Sequence, residues 1–125
     1  MDFLPLGLKL KGATVLVAGG GDTALRKARL LDKAGARLRL GAPRCRDDLA
    51  RLVEQGGGQW LRRAVEDRDL DGVRLAVAAT DDATVNGDLA RAAEARGLPV
   101  NVVGEPALSS FVFPALIDRD PLFIA

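Results

Sequence analysis

Apolar residues arrive in two alternating rhythms along this chain. Val15-Leu16-Val17-Ala18 is an unbroken apolar run, too brief for a helix and suited to a strand covered on both faces. After Gly19-Gly20-Gly21 the period changes: Ala24, Ala28 and Leu31 share one helical face with Leu25 beside them, which leaves Arg26, Lys27, Arg29, Asp32 and Lys33 for solvent. Gly35 supplies a helix stop. Ala36, Leu38 and Leu40 then alternate with Arg37 and Arg39, the period of a second strand with one buried face. Asp47-Asp48 opens a second helix with negative charge at its positive end; Leu49, Leu52 and Val53 form its inner face and Gly56-Gly57-Gly58 ends it. Gln59-Trp60-Leu61-Arg62 predicts a third strand in which Trp60 packs, and Glu66 to Asp71 a loop or short helix.

The most apolar strand follows, Val73 to Ala79, and leads through Thr80-Asp81-Asp82 into a helix with Val85, Leu89 and Ala92 inward and Gly97 as its stop. Thr80 or Asp81 is expected to cap that helix, alone or while also touching a ligand. Residues 98–103 read as a fifth strand. Strands alternating with helices call for a parallel sheet with right-handed crossovers. At residues 111–125 the rhythm becomes strand, turn, strand, a terminal hairpin around Asp118-Arg119-Asp120-Pro121. Residues 1–10, with Leu4, Leu6, Leu8 and Leu10 alternating, suit an edge strand or a wrapping arm. The expected fold is one α/β domain of Rossmann-like type: doubly wound, mainly parallel, closed by a C-terminal β-hairpin. The apolar end at Ala125 raises the expectation that the native chain continues.

Chemistry concentrates in the first turn. Gly19, Gly21 and Ala24 have the spacing G-x-G-x-x-A between a strand and a helix. Gly19 permits a tight bend, Gly21 lets backbone approach a diphosphate, and Ala24 lets the helix lie against the strand. The helix start presents unpaired N–H groups and a positive dipole end to the same point, so a diphosphate is the expected occupant, with Gly20 among the candidate cofactor contacts. The alternative is a plain turn that needs flexible residues. About 20 residues beyond the glycines, an NAD site often places a carboxylate on the adenosine ribose. Gly41-Ala42-Pro43-Arg44 stands there instead, so Pro43 and Arg44 contact the ribose through backbone, or Arg44 receives a 2′-phosphate, or Arg44 is a solvated loop residue.

Composition narrows the rest. The 125 residues support one core, with 48% hydrophobic and 28% charged residues, and no apolar run approaches a membrane span. The first residues carry no basic start of a secretory signal, so cytoplasm is the expected location. Eighteen Lys and Arg against 17 Asp and Glu give a net charge of +1, no basis for a nucleic-acid surface. One cysteine, Cys45, excludes an internal disulfide and a cysteine metal cluster, and with no histidine any acid or base work falls to carboxylates, lysines or backbone.

The chain resembles the N-terminal dehydrogenase domain of siroheme synthase and the stand-alone precorrin-2 dehydrogenases. The matching segments include Leu4-Pro5, Gly19-Gly20-Gly21-Asp22, Arg26-Lys27-Ala28-Arg29-Leu30-Leu31, Ala78-Ala79-Thr80-Asp81-Asp82, Asn101-Val102-Val103, Pro106, Ser110-Phe111 and Ile117-Asp118-Arg119. The resemblance implies a homodimer that oxidises precorrin-2 to sirohydrochlorin with NAD and then assists insertion of ferrous iron. It places cofactor contacts at Asp22, Thr23, Pro43 and Arg44. The family's downstream dimerisation and methyltransferase parts lie outside these residues. Its essential aspartate directly follows the Asn-Val-Val stretch, where this chain has Gly104. Glu105 is the candidate catalytic replacement if the backbone bends at Gly104, and a surface glutamate otherwise. A non-catalytic dinucleotide or tetrapyrrole binding module is the competing expectation.

Overall fold

The computed structural model describes residues 2–113. Five strands and three helices alternate: β1 (Thr14–Ala18), α1 (Asp22–Lys33), β2 (Arg37–Gly41), α2 (Asp47–Gln55), β3 (Gln59–Leu61), β4 (Ala76–Ala78), α3 (Ala83–Ala95) and β5 (Val100–Val102). Short 3₁₀ turns at Asp67–Leu70 and Pro106–Leu108 complete the set. The strands form one sheet in the order β3-β2-β1-β4-β5, and every pair is parallel. This is the α/β Rossmann-like architecture that the sequence implies.

The apolar run of β1 is explained by its central place. Val15 and Val17 belong to a core with Ala24, Ala28, Leu31, Leu38, Leu40, Leu49 and Val53 beneath α1 and α2. Leu16 and Ala18 face a second core with Ala76, Ala78, Leu89, Ala90 and Ala93 beneath α3. β2 alternates because only one of its faces meets a helix. On the other, Arg39 Nη1 donates to the carbonyls of Asp69 and Asp71, both at 2.7 Å, so the polar residue is held by the 3₁₀ turn. At the outer edge of β5, the Ser110 and Ser109 hydroxyls accept from the Val100 and Val102 amides at 2.8 Å, which closes hydrogen bonds that an edge strand leaves open.

Four expectations need correction or narrowing. Residues 2–10 form no strand: Leu4 and Leu6 stay exposed, while Leu10 alone is buried, so the lead-in is an arm with one anchor. The ladder of β4 spans only Ala76–Ala78, although Val73 and Leu75 are buried with it. α3 turns Gly87, Leu89, Ala90 and Ala93 inward, leaving Val85 and Ala92 half-buried, a roll of the helix that points Val85 toward a cavity. Phe111 to Phe113 run outside any strand; Phe111 and Phe113 pack on the α1 side, with Lys27 Nζ 4.6 Å from the Phe113 ring centroid, and Val112 is exposed. The rest of the hairpin expected over 111–125 lies outside the described residues. Among those described, no helix is long and apolar enough to cross a membrane.

Candidate functional site

A cavity of about 640 Å³ opens at the carboxyl ends of β1, β2 and β4. In an open parallel sheet this is where the strand order reverses and crossovers leave on opposite faces, so a crevice forms there for topological reasons. Its wall combines the glycine turn (Gly19 to Thr23), the β2–α2 loop (Gly41 to Arg46) and the β4–α3 loop (Ala79 to Asp82), with Ala64, Val65 and Val85.

The three glycines of the turn do different work. Gly19 has φ +125°, and a Cβ there would lie 2.2 Å from the Ala79 carbonyl oxygen. Gly20 passes so close under the β2–α2 loop that a Cβ would lie 1.9 Å from the Arg44 carbonyl oxygen, and its own carbonyl accepts from the Arg46 amide at 2.9 Å. At Gly21 a Cβ would meet nothing within 4 Å. Gly21 has φ −102° and ψ −160°, extended backbone open to any residue. The fold thus requires glycine at 19 and 20, whereas at 21 a side chain would enter open space on the cavity wall. Gly21 is also the N-cap of α1 and donates no side-chain cap, so the first amides of the helix stay available beside that space.

Charge at the mouth is largely paired. Arg46 bridges Asp22 at the start of α1 and Asp48 at the start of α2, with Nε and Nη2 each 3.0 Å from an Asp48 oxygen. Hydrogen bonds to Asp48 and then to Asp22 hold the Arg46 guanidinium above its usual pKa, and the same bond to Arg46 holds Asp48 below the usual carboxylate range. Burial, then the Asp48 charge, push the Cys45 thiol up, so it stays protonated and its Sγ donates to the Arg46 carbonyl at 3.3 Å. Trp60 Nε1 donates to the Ala42 carbonyl at 2.9 Å and fixes the loop from the β3 side.

Most of the residues singled out in the sequence converge here. Gly19, Gly20, Gly21, Asp22, Thr23, Pro43, Arg44, Thr80 and Asp81 all line the cavity. Ala24 does not: it is fully buried under α1, in keeping with its packing role. The cap of α3 falls to Asp82, which accepts from the Thr84 amide at 2.9 Å and the Val85 amide at 3.3 Å, rather than to Thr80 or Asp81. The Thr80 hydroxyl is 2.6 Å from Asn86 Oδ1 and accepts from the Asp82 amide at 3.2 Å, so it braces the loop internally. Gly104 does bend the chain, at φ +79°, but Glu105 is exposed and stands outside the cavity wall; its carbonyl accepts from Ser109 Oγ at 3.0 Å. Sequence reasoning missed Arg46, whose role depends on two carboxylates remote in the chain. It also missed Gly41, where a Cβ would lie 2.3 Å from Val65 Cγ1; glycine at the last position of a buried strand was the available signal.

The chain is similar to known proteins in sequence and in fold. The chain is 58% identical over all 125 residues to the siroheme synthase of Pseudomonas paraeruginosa, of which it spans 27%. Among solved structures it resembles SirC, precorrin-2 dehydrogenase, with a TM-score of 0.78 at 28% identity over 94% of this chain and 57% of that one. It also resembles GenD2 from gentamicin A biosynthesis, solved in complex with NAD, with a TM-score of 0.56 at 25% identity over 80% of this chain and 29% of that one. Residues 6–115, from the arm to beyond the last described strand, match a family model described as "Putative NAD(P)-binding". A strand, glycine turn and uncapped helix around an open crevice, under a match of that extent, place this chain in that NAD(P)-binding family.

Proposed function

We propose that this chain holds NAD for the oxidation of precorrin-2 to sirohydrochlorin in siroheme synthesis. The observation that carries the reading is Gly21, where the protein leaves space beside free helix amides, in a chain 58% identical to a siroheme synthase. The residues suit the dinucleotide. The α1 amides and Gly21 receive the diphosphate, the β2–α2 loop receives the adenosine end, and the β4–α3 loop borders the remainder. NAD, when bound, supplies the hydride acceptor, so the chain's own work is to bind and orient. This fits a site with no histidine. Ferrous iron enters this reading as substrate of a following step, and the whole protein acts as a homodimer in the cytoplasm.

A specific observation favours the second reading, a binding module without chemistry. The family's aspartate position is Gly104, where nothing lies within 4 Å of a built Cβ, and Glu105 is off the cavity wall. One experiment separates the two. Purified protein is titrated with NAD by calorimetry and then incubated with NAD and precorrin-2 while NADH absorbance is followed. NADH formation supports the dehydrogenase; saturable NAD binding without NADH supports the module; absence of NAD binding overturns both. If Glu105 supplies the proton-accepting group, Glu105→Gln abolishes NADH formation, whereas turnover that appears only in Gly104→Asp assigns the loss of chemistry to that position.

A further inference from the structure

We propose that this site also accepts a dinucleotide carrying a 2′-phosphate, NADP, and that Arg44 is the residue that receives the phosphate. The inference rests on the dinucleotide reading above and concerns only which adenosine ribose the site takes. Discrimination against NADP ordinarily comes from a carboxylate at the end of the second strand, which bonds the ribose hydroxyls and repels a phosphate. Here the end of β2 and the loop beyond it present Gly41, Ala42, Pro43, Arg44, Cys45 and Arg46 to the cavity, with no carboxylate among them. The only acidic residues on the described wall are Asp22, Asp81 and Asp82. Asp22 is held by Arg46, and Asp81 and Asp82 belong to the β4–α3 loop, away from the adenosine end.

The two arginines of the loop are not equivalent. Arg46 is committed, with one carboxylate on each side. Arg44 is exposed on the cavity wall and has no hydrogen-bond or ion-pair partner among the described residues. Its backbone cannot drift, because the Arg44 carbonyl sits over Gly20 and the next loop amide is tied to the Gly20 carbonyl. A guanidinium on a fixed stem, unpaired, at the point where a ribose phosphate would emerge, matches the fork geometry by which arginine receives phosphate.

The test is a pair of titrations, NAD and NADP, against the protein and its Arg44→Gln and Arg44→Lys variants, with thermal unfolding to confirm that the exposed substitutions leave the fold intact. The expected result is an NADP Kd within about tenfold of the NAD Kd. Arg44→Gln should weaken NADP at least about tenfold more than NAD, the loss of one charge-assisted hydrogen bond, and Arg44→Lys should fall between. NADP affinity should also fall more steeply with salt than NAD affinity. NAD binding with NADP more than about a hundredfold weaker, or equal losses for both in Arg44→Gln, overturns this inference and leaves the NAD reading standing. If neither dinucleotide binds, both fall together.

Discussion

Replacing Gly20 and Gly21 one at a time by alanine separates what the fold needs from what the ligand needs. The added methyl is the same, and only its surroundings differ. At Gly20 the Cβ would stand 1.9 Å from the Arg44 carbonyl oxygen, so the glycine turn and the β2–α2 loop must part, with loss of the 2.9 Å bond from the Arg46 amide to the Gly20 carbonyl. Overpacking against backbone of this kind costs about 3 kcal/mol or more. At Gly21 the methyl enters space empty to 4 Å on backbone already extended. The expected stability cost is about 0.5–1 kcal/mol, the difference between glycine and alanine at an N-cap. For a chain of this length the first variant should melt lower by about 10 °C or more and the second by only a few degrees, at roughly 4 °C per kcal/mol.

Ligand binding should move in the opposite order. A diphosphate oxygen hydrogen-bonded to the first α1 amides must come to about 3 Å from backbone, inside the contact distance of a new Gly21 methyl. Losing one such charge-assisted bond costs about 1.5–3 kcal/mol, or about ten- to a hundredfold in NAD affinity. Calorimetric titration of Gly21→Ala, with unfolding curves for both variants, measures the two effects separately. A Gly21→Ala protein that binds NAD like the parent would show that the open space is not the diphosphate site. One that unfolds as early as Gly20→Ala would show that the turn's packing has been misjudged.

Two further outcomes follow from the surrounding structure. Asp69 is buried, and Arg63 Nη1 and Nη2 bond its two oxygens at 2.8 Å each; this pairing, opposed by burial, holds its carboxyl below the usual range. Its folded pKa is depressed, so its stabilisation is full above the unfolded value of about 3.9 and is lost as pH falls through the folded value. Asp69→Asn should cost about 1–3 kcal/mol at neutral pH, discounted because Arg63 is one-third exposed, and should flatten the acid limb below about pH 4 in urea unfolding; an unchanged acid limb would refute the pairing's role. Asp82→Ala should destabilise by about 1 kcal/mol through loss of the α3 cap, whereas Asp81→Ala should cost under about 0.5 kcal/mol; equal costs would mean the cap is shared.

Local periodicity carries most of the architecture. β1 and β2 differ in apolar pattern because one is covered on both faces and the other on one, and that difference is written in Val15 to Ala18 against Leu38, Arg39 and Leu40. The glycine turn was legible for the same reason, since strand, turn and helix are neighbours in sequence. Helix roll and exact capping were not: Asp82 rather than Asp81 caps α3 because its oxygen reaches two amides, a matter of about one residue of phase.

What the chain order alone determined is therefore a parallel α/β sheet with a glycine-rich turn between its first strand and first helix. What only the tertiary structure decided is which glycines are crowded and which faces open space, and which arginine of the β2–α2 loop is paired. Both depend on segments distant in sequence: Ala79 and Arg44 crowd Gly19 and Gly20, and Asp22 and Asp48 claim Arg46 while leaving Arg44. Such meetings are set by strand order β3-β2-β1-β4-β5, which brings three loops to one end of the sheet and carries no signature in any single stretch of residues.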